Sequence, residues 1–122
     1  MFDSSVELVA FVGLGAMGGP MCANLVRKSP VPVLAHDLDS KAVQAAVNSG
    51  SIAANGLADI SRADIIFICV PGEEQTRSIS LAKGGLCDYA RAGQIVVDCT
   101  TATVKVNLDV SEALAAKGAH FA

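Results

Sequence analysis

The stretch that most constrains this 122-residue chain is Val9-Ala10-Phe11-Val12-Gly13-Leu14-Gly15-Ala16-Met17-Gly18-Gly19-Pro20-Met21. An apolar run stops at a glycine. Two more glycines follow at the spacing Gly13-x-Gly15-x-x-Gly18, and a helical pattern starts at once. Gly13 lets the chain leave a strand in a tight turn. Gly15, with no Cβ, leaves room for a pyrophosphate to reach the backbone, and Gly18 lets the helix pack close to the strand. The unpaired N–H groups of the first helical turn would then face the phosphates, where the helix dipole favours negative charge.

Glycine clusters also make ordinary turns, so the context matters. Val6, Leu8, Val9, Phe11 and Val12 ahead of Gly13 are strand-like, while Met17, Met21 and Leu25 after it recur every four residues. Asp37 ends the next apolar run, nineteen positions after Gly18 (37 − 18). A carboxylate that binds a ribose hydroxyl is expected at an offset of about 20 residues. The motif and its context imply a dinucleotide-binding β-α-β unit rather than a plain strand–turn–helix.

The rest of the chain alternates in the same way. Strands are expected at residues 8–12, 33–36, 64–70 and 94–98, a weak one at 51–53, and the opening of another at 119–122. Helices are expected at 17–28, 40–48, 73–79 and 104–117, with shorter pieces after Asn55-Gly56 and at 87–91. Residues 100–103 read as a polar turn. Asp64-Ile65-Ile66-Phe67-Ile68-Cys69-Val70 is apolar at nearly every position, the pattern of a central parallel strand buried on both faces. The alternation predicts an α/β fold: a Rossmann-like doubly wound parallel sheet of strand order 3-2-1-4-5-6, in a three-layer α/β/α arrangement. Ligands of such sheets bind beyond the carboxyl ends of the strands at the switch point. That places Gly13–Gly18, Asp37, Val70-Pro71 and Thr100-Thr101 around one crevice.

Composition narrows the function. Hydrophobic residues make up 52% of the chain but aromatics only 4%, which suits small aliphatic side chains packed between a sheet and helices on both faces. A net charge of −3 with no basic cluster argues against nucleic acid. No apolar run approaches the roughly 18 residues of a membrane span. The N-terminus has no signal-type pattern, so a cytoplasmic location is expected. Cys22, Cys69, Cys87 and Cys99 include no C-x-x-C pair, so no metal site is expected, and reduced thiols fit best. Cys99, beside the polar turn, reads better as a small buried residue than as a redox group, and His36 better as a partly exposed packing residue than as a catalytic one. Glu73 and Glu74 sit where a helix start favours acidic groups.

Phe11-Val12-Gly13-Leu14-Gly15-Ala16-Met17-Gly18-Gly19-Pro20-Met21-Cys22-Ala23-Asn24-Leu25 resembles the opening of the β-hydroxyacid dehydrogenases, which include 3-hydroxyisobutyrate dehydrogenase, tartronate semialdehyde reductase and, more distantly, 6-phosphogluconate dehydrogenase. Cys22 replaces the family's usual alanine. Ile68-Cys69-Val70-Pro71 and Val97-Asp98-Cys99-Thr100-Thr101 look like its later cofactor loops. The resemblance implies that the backbone of Leu14, Gly15, Ala16 and Met17 wraps the pyrophosphate. Val70 and Pro71 would line the adenosine side, with Gln75 near the same ribose, and Thr101 would approach the nicotinamide. Thr100 and Thr101 also suit a helix cap.

The family continues with a substrate segment, a general-acid lysine and a helical second domain. The sequence ends at Phe121-Ala122, where that segment would begin, and none of Lys28, Lys41, Lys83, Lys105 and Lys117 matches the catalytic position. Residues 1–122 are therefore expected to form the cofactor-binding domain alone, of an oxidoreductase acting on a small 3-hydroxy acid or semialdehyde and inactive without its other half. Apolar groups that would face the second domain favour self-association. The competing reading is a regulatory or oligomerisation module that binds a dinucleotide without chemistry.

NAD is the expected cofactor over NADP. Asp37-Leu38-Asp39 would repel a 2′-phosphate, where NADP-using relatives of the 6-phosphogluconate type carry Asn-Arg-Thr. The competing role for Asp37 is a cap on the second helix, with Lys41 reaching a phosphate from the side.

Overall fold

The computed structural model describes residues 6–99 and 104–122. Its elements are β1 (Val9–Val12), α1 (Gly18–Lys28), β2 (Val33–His36), α2 (Ser40–Asn48), β3 (Ile52–Ala53) and α3 (Leu57–Ile60). They continue with β4 (Ile65–Ile68), α4 (Glu73–Ser80), α5 (Leu86–Tyr89), β5 (Ile95–Asp98), α6 (Val104–Ala115) and β6 (His120–Phe121). The six strands form one parallel sheet of order β3-β2-β1-β4-β5-β6, as the alternation predicts.

Strand side chains alternate between faces, so unbroken apolar runs serve two cores at once. Val9, Phe11, Val33, Ala35 and Ile65 pack with Cys22 of α1 and Ala46 of α2. Ala10, Val12, Leu34, Ile66, Ile68 and Val96 face the other way, against Ile60 of α3, Leu86 of α5, and Val106, Val110 and Leu114 of α6. All four residues of β1 are buried. Each fully buried large aliphatic there contributes about 1.5–3 kcal/mol relative to exposure. Among the described residues, no helix is long and apolar enough to cross a membrane.

The ends of elements differ from the sequence pattern for local reasons. The strand expected over 64–70 stops at Ile68. Cys69 still donates its N–H to the Val12 carbonyl at 2.8 Å, and then Val70 and Pro71 leave the sheet. The piece expected at 87–91 begins at Leu86 and ends when Ala90 turns extended. The last helix stops at Ala115 rather than 117. Its final carbonyls are taken by a tight turn, with Lys117 donating to Leu114 and Gly118 to Ala115, and Gly118 at φ +80 redirects the chain into β6. The expected turn at 100–103 lies outside the described residues.

Opposite the crevice, Asp64 ties the start of β4 to its surroundings. It accepts N–H bonds from Glu7 (2.8 Å) and Leu8 (3.1 Å), and Arg91 donates to it at 2.9 Å. Burial alone would raise its pKa, but these three donors outweigh it and hold the carboxyl below the usual range.

Candidate functional site

The helix after β1 packs on one face of the sheet and the helix after β4 on the other. The two chains diverge at the carboxyl ends of these neighbouring strands, and divergence there opens a crevice. It encloses about 770 Å³.

Its floor is built by close backbone packing. Gly13 sits at φ +98, and a Cβ on it would run into the Cys69 carbonyl and reach to 3.0 Å from Val70 Cγ1. A Cβ on Gly18 would strike the Gly13 carbonyl. Both positions need glycine for the fold itself. Gly15 differs: a Cβ there would meet nothing within 4 Å, and its φ is not in the left-handed region. The N–H groups of Gly15, Ala16 and Met17 make no hydrogen bond among the described residues. They lead into α1 at its N-terminal, electropositive end.

Asp37 follows β2 and braces the turn. Its Oδ2 accepts the Leu14 N–H at 2.7 Å and its Oδ1 the Asp39 N–H at 2.8 Å. An ionised carboxylate has about four acceptor sites, so two bonds leave capacity toward the crevice. Asp37 does not cap α2. That role falls to Asp39, whose carboxylate accepts the Lys41 N–H at 3.0 Å.

Gly13, Gly15, Ala16, Met17, Gly18, Asp37, Val70, Pro71 and Gln75 all line the crevice. Leu14 does not. Its side chain is buried in the core beside Cys22, and its N–H is given to Asp37 rather than presented outward. Thr101 lies outside the described residues. Sequence reasoning missed Ser78 and Ile79, which line the wall from α4. Ser78 lies three residues after Gln75, so helical spacing from Gln75 could have found it. His36 and Leu38 also reach the crevice, Leu38 almost fully exposed. Cys99 lines it too and is exposed rather than buried, because the chain leaves β5 just before it. No lysine or arginine stands among the described lining residues. Among the described residues, no cluster of three or more His, Cys, Asp or Glu could hold a metal ion.

Residues 8–122 match the family model of the NAD binding domain of 6-phosphogluconate dehydrogenase. The chain belongs to this family. The NAD-binding domain is 36% identical over 111 residues to the 3-hydroxyisobutyrate dehydrogenase of Pseudomonas aeruginosa, a match covering 90% of this chain and 37% of that protein. It is similar in structure to Mycobacterium tuberculosis 3-hydroxyisobutyrate dehydrogenase solved with L-serine, at TM-score 0.84 and 26% identity, over 95% of this chain and 39% of the other. A solved structure described as Psf3 in complex with NADP+ and 2-OPP superposes at TM-score 0.86 with 30% identity, over 93% of this chain and 40% of the other. The chain thus spans about two-fifths of the length of the relatives it matches. It is an NAD-binding domain of the kind found in hydroxyacid dehydrogenase-like oxidoreductases.

Proposed function

We propose that this domain holds NAD(H) for an oxidoreductase that acts on a small 3-hydroxy acid or the matching semialdehyde. The observation that carries the reading is Gly15, which lies at the crevice where a side chain would meet nothing, with the N–H groups of Gly15, Ala16 and Met17 unpaired among the described residues. In this reading the Gly15, Ala16 and Met17 N–H groups and the α1 dipole hold the pyrophosphate. Asp37 accepts the adenosine ribose hydroxyls, Val70 and Pro71 flank the adenine side, and Gln75 approaches that ribose. Leu14 acts indirectly, since its N–H fixes Asp37. Thr101 is assigned to the nicotinamide end by family resemblance alone. The bound nicotinamide supplies the hydride chemistry.

The lining supports NAD over NADP. A 2′-phosphate near Asp37 would meet a carboxylate and find no lysine or arginine among the described lining residues. Capping by Asp39 removes the main competing role for Asp37. Calorimetric titration with NAD+ and NADP+ tests the proposal. The parent should bind NAD+ more tightly, and Asp37→Asn/Leu38→Arg should reverse the order. Tighter NADP+ binding by the parent would show that another residue reads the ribose.

A further inference from the structure

Two of the four cysteines, Cys69 and Cys99, line the crevice just past the ends of the neighbouring strands β4 and β5. β4 and β5 pair in parallel with Phe67 opposite Val97 and Ile68 opposite Asp98. Cys99 donates its N–H to the Ile68 carbonyl at 2.7 Å, the bond that closes the Ile68–Asp98 pair at the end of the ladder. Cys69 and Cys99 are the next residue on each strand, so the same register sets them side by side just beyond the ladder. Phe67 and Val97 pack on the α1–α2 side of the sheet. Two residues on, strand alternation returns Cys69 and Cys99 to that same side, and both line the crevice. Paired strands lie about 4.8 Å apart, inside the roughly 4.4–6.8 Å range of Cα separations that a disulfide spans. Both are free thiols; Cys99 is exposed and Cys69 partly so, whereas Cys22 and Cys87 are buried in separate cores.

We propose that Cys69 and Cys99 form a redox-responsive dithiol, which a peroxide converts to a disulfide and a bound dinucleotide shields. Only the shielding rests on the NAD(H) reading above. Cys99, the more exposed, reacts first. Its sulfur attacks a peroxide oxygen, the O–O bond breaks, and a sulfenic acid and one water result. The Cys69 sulfur then displaces that hydroxyl as a second water, forming the S–S bond. Two electrons and two protons leave the thiols, and one hydrogen peroxide becomes two waters. Burial raises both thiols, and Asp98 adds to it. The pair is therefore largely protonated at neutral pH and responds to sustained peroxide rather than to traces. The disulfide would fix Cys69, whose carbonyl lies against Gly13 at the crevice floor.

The test is peroxide treatment of the reduced, dilute chain with and without saturating NAD+, followed by alkylation and peptide mapping. A Cys69–Cys99 linked peptide should form while Cys22 and Cys87 remain alkylatable, and Cys99→Ser should abolish the link and leave Cys69 reduced. With NAD+ far above its dissociation constant, the link should form roughly tenfold more slowly or less. Oxidation of Cys99 to sulfinic acid with no link to Cys69 would overturn the dithiol. Tight calorimetric binding of NAD+ with unchanged linking would overturn the shielding. Failure of NAD+ to bind at all would instead refute the NAD(H) reading, and the linked peptide formed without NAD+ would still decide the dithiol.

Discussion

The floor and the mouth of the crevice use the same residue type for opposite reasons. At the floor, Gly13 and Gly18 are enclosed by backbone: the Cys69 carbonyl closes over one and the Gly13 carbonyl over the other. At the mouth, Gly15 faces open space. Glycine carries an entropic cost on folding. The floor repays it with the close approach of α1 to β1 and β4, but nothing in the fold repays it at Gly15. A sequence pattern that looks uniform thus contains two parts that the fold requires and one, Gly15, that it does not and that the proposed cofactor role would explain.

The largest expected effect breaks the floor. Gly13→Ala combines a strained φ with a clash against backbone that cannot swing away, and should cost about 3 kcal/mol or more. Urea unfolding would show a lower midpoint with an unchanged slope. An unperturbed midpoint would mean that the floor is not packed as described.

Asp37 joins the two regions, since it braces Leu14 at the floor and borders the mouth. Asp37→Ala removes two charge-assisted bonds and should cost about 1–2 kcal/mol of stability, together with a loss of NAD+ affinity. Asp37→Asn retains an acceptor and should restore part of the stability. If both variants are as stable as the parent, the brace contributes nothing.

A smaller effect lies at the far end of β4, away from both regions. Asp64 is held below the usual carboxylate range in the fold. Its contribution is complete above the unfolded value of about 3.9. It is lost as pH falls through the lower folded value. Asp64→Asn should therefore flatten the acid limb of stability against pH and leave NAD+ binding untouched. Thermal unfolding at several pH values between neutral and strongly acidic checks this.

What could be read in advance follows the same division. β1 and β4 were legible because burial on both faces leaves apolar residues at every position, and the sheet order followed from the alternation. The ends of elements were not: α6 stops where Lys117 and Gly118 take its last carbonyls, and α5 where Ala90 turns extended, neither of which periodicity encodes. Asp37 and Asp39 are both plausible caps by residue type, and only the bond from Lys41 N–H separates them. Leu14 reads as part of a phosphate loop, yet its N–H is turned inward by a residue 23 positions away. The meeting of Cys69 and Cys99 depends on the register between β4 and β5, which no local pattern specifies.

The most direct test of the central claim is Gly15→Val, measured for stability and for NAD+ binding in the same preparation. The open space and ordinary φ at Gly15 predict a change in unfolding free energy within about 0.5 kcal/mol. The branched side chain at the mouth predicts a loss of NAD+ affinity of at least about tenfold, or 1.4 kcal/mol. Unchanged stability with weakened binding is the result this account requires. Unchanged stability with affinity equal to the parent's would contradict it, because Gly15 would then serve neither the fold nor the ligand.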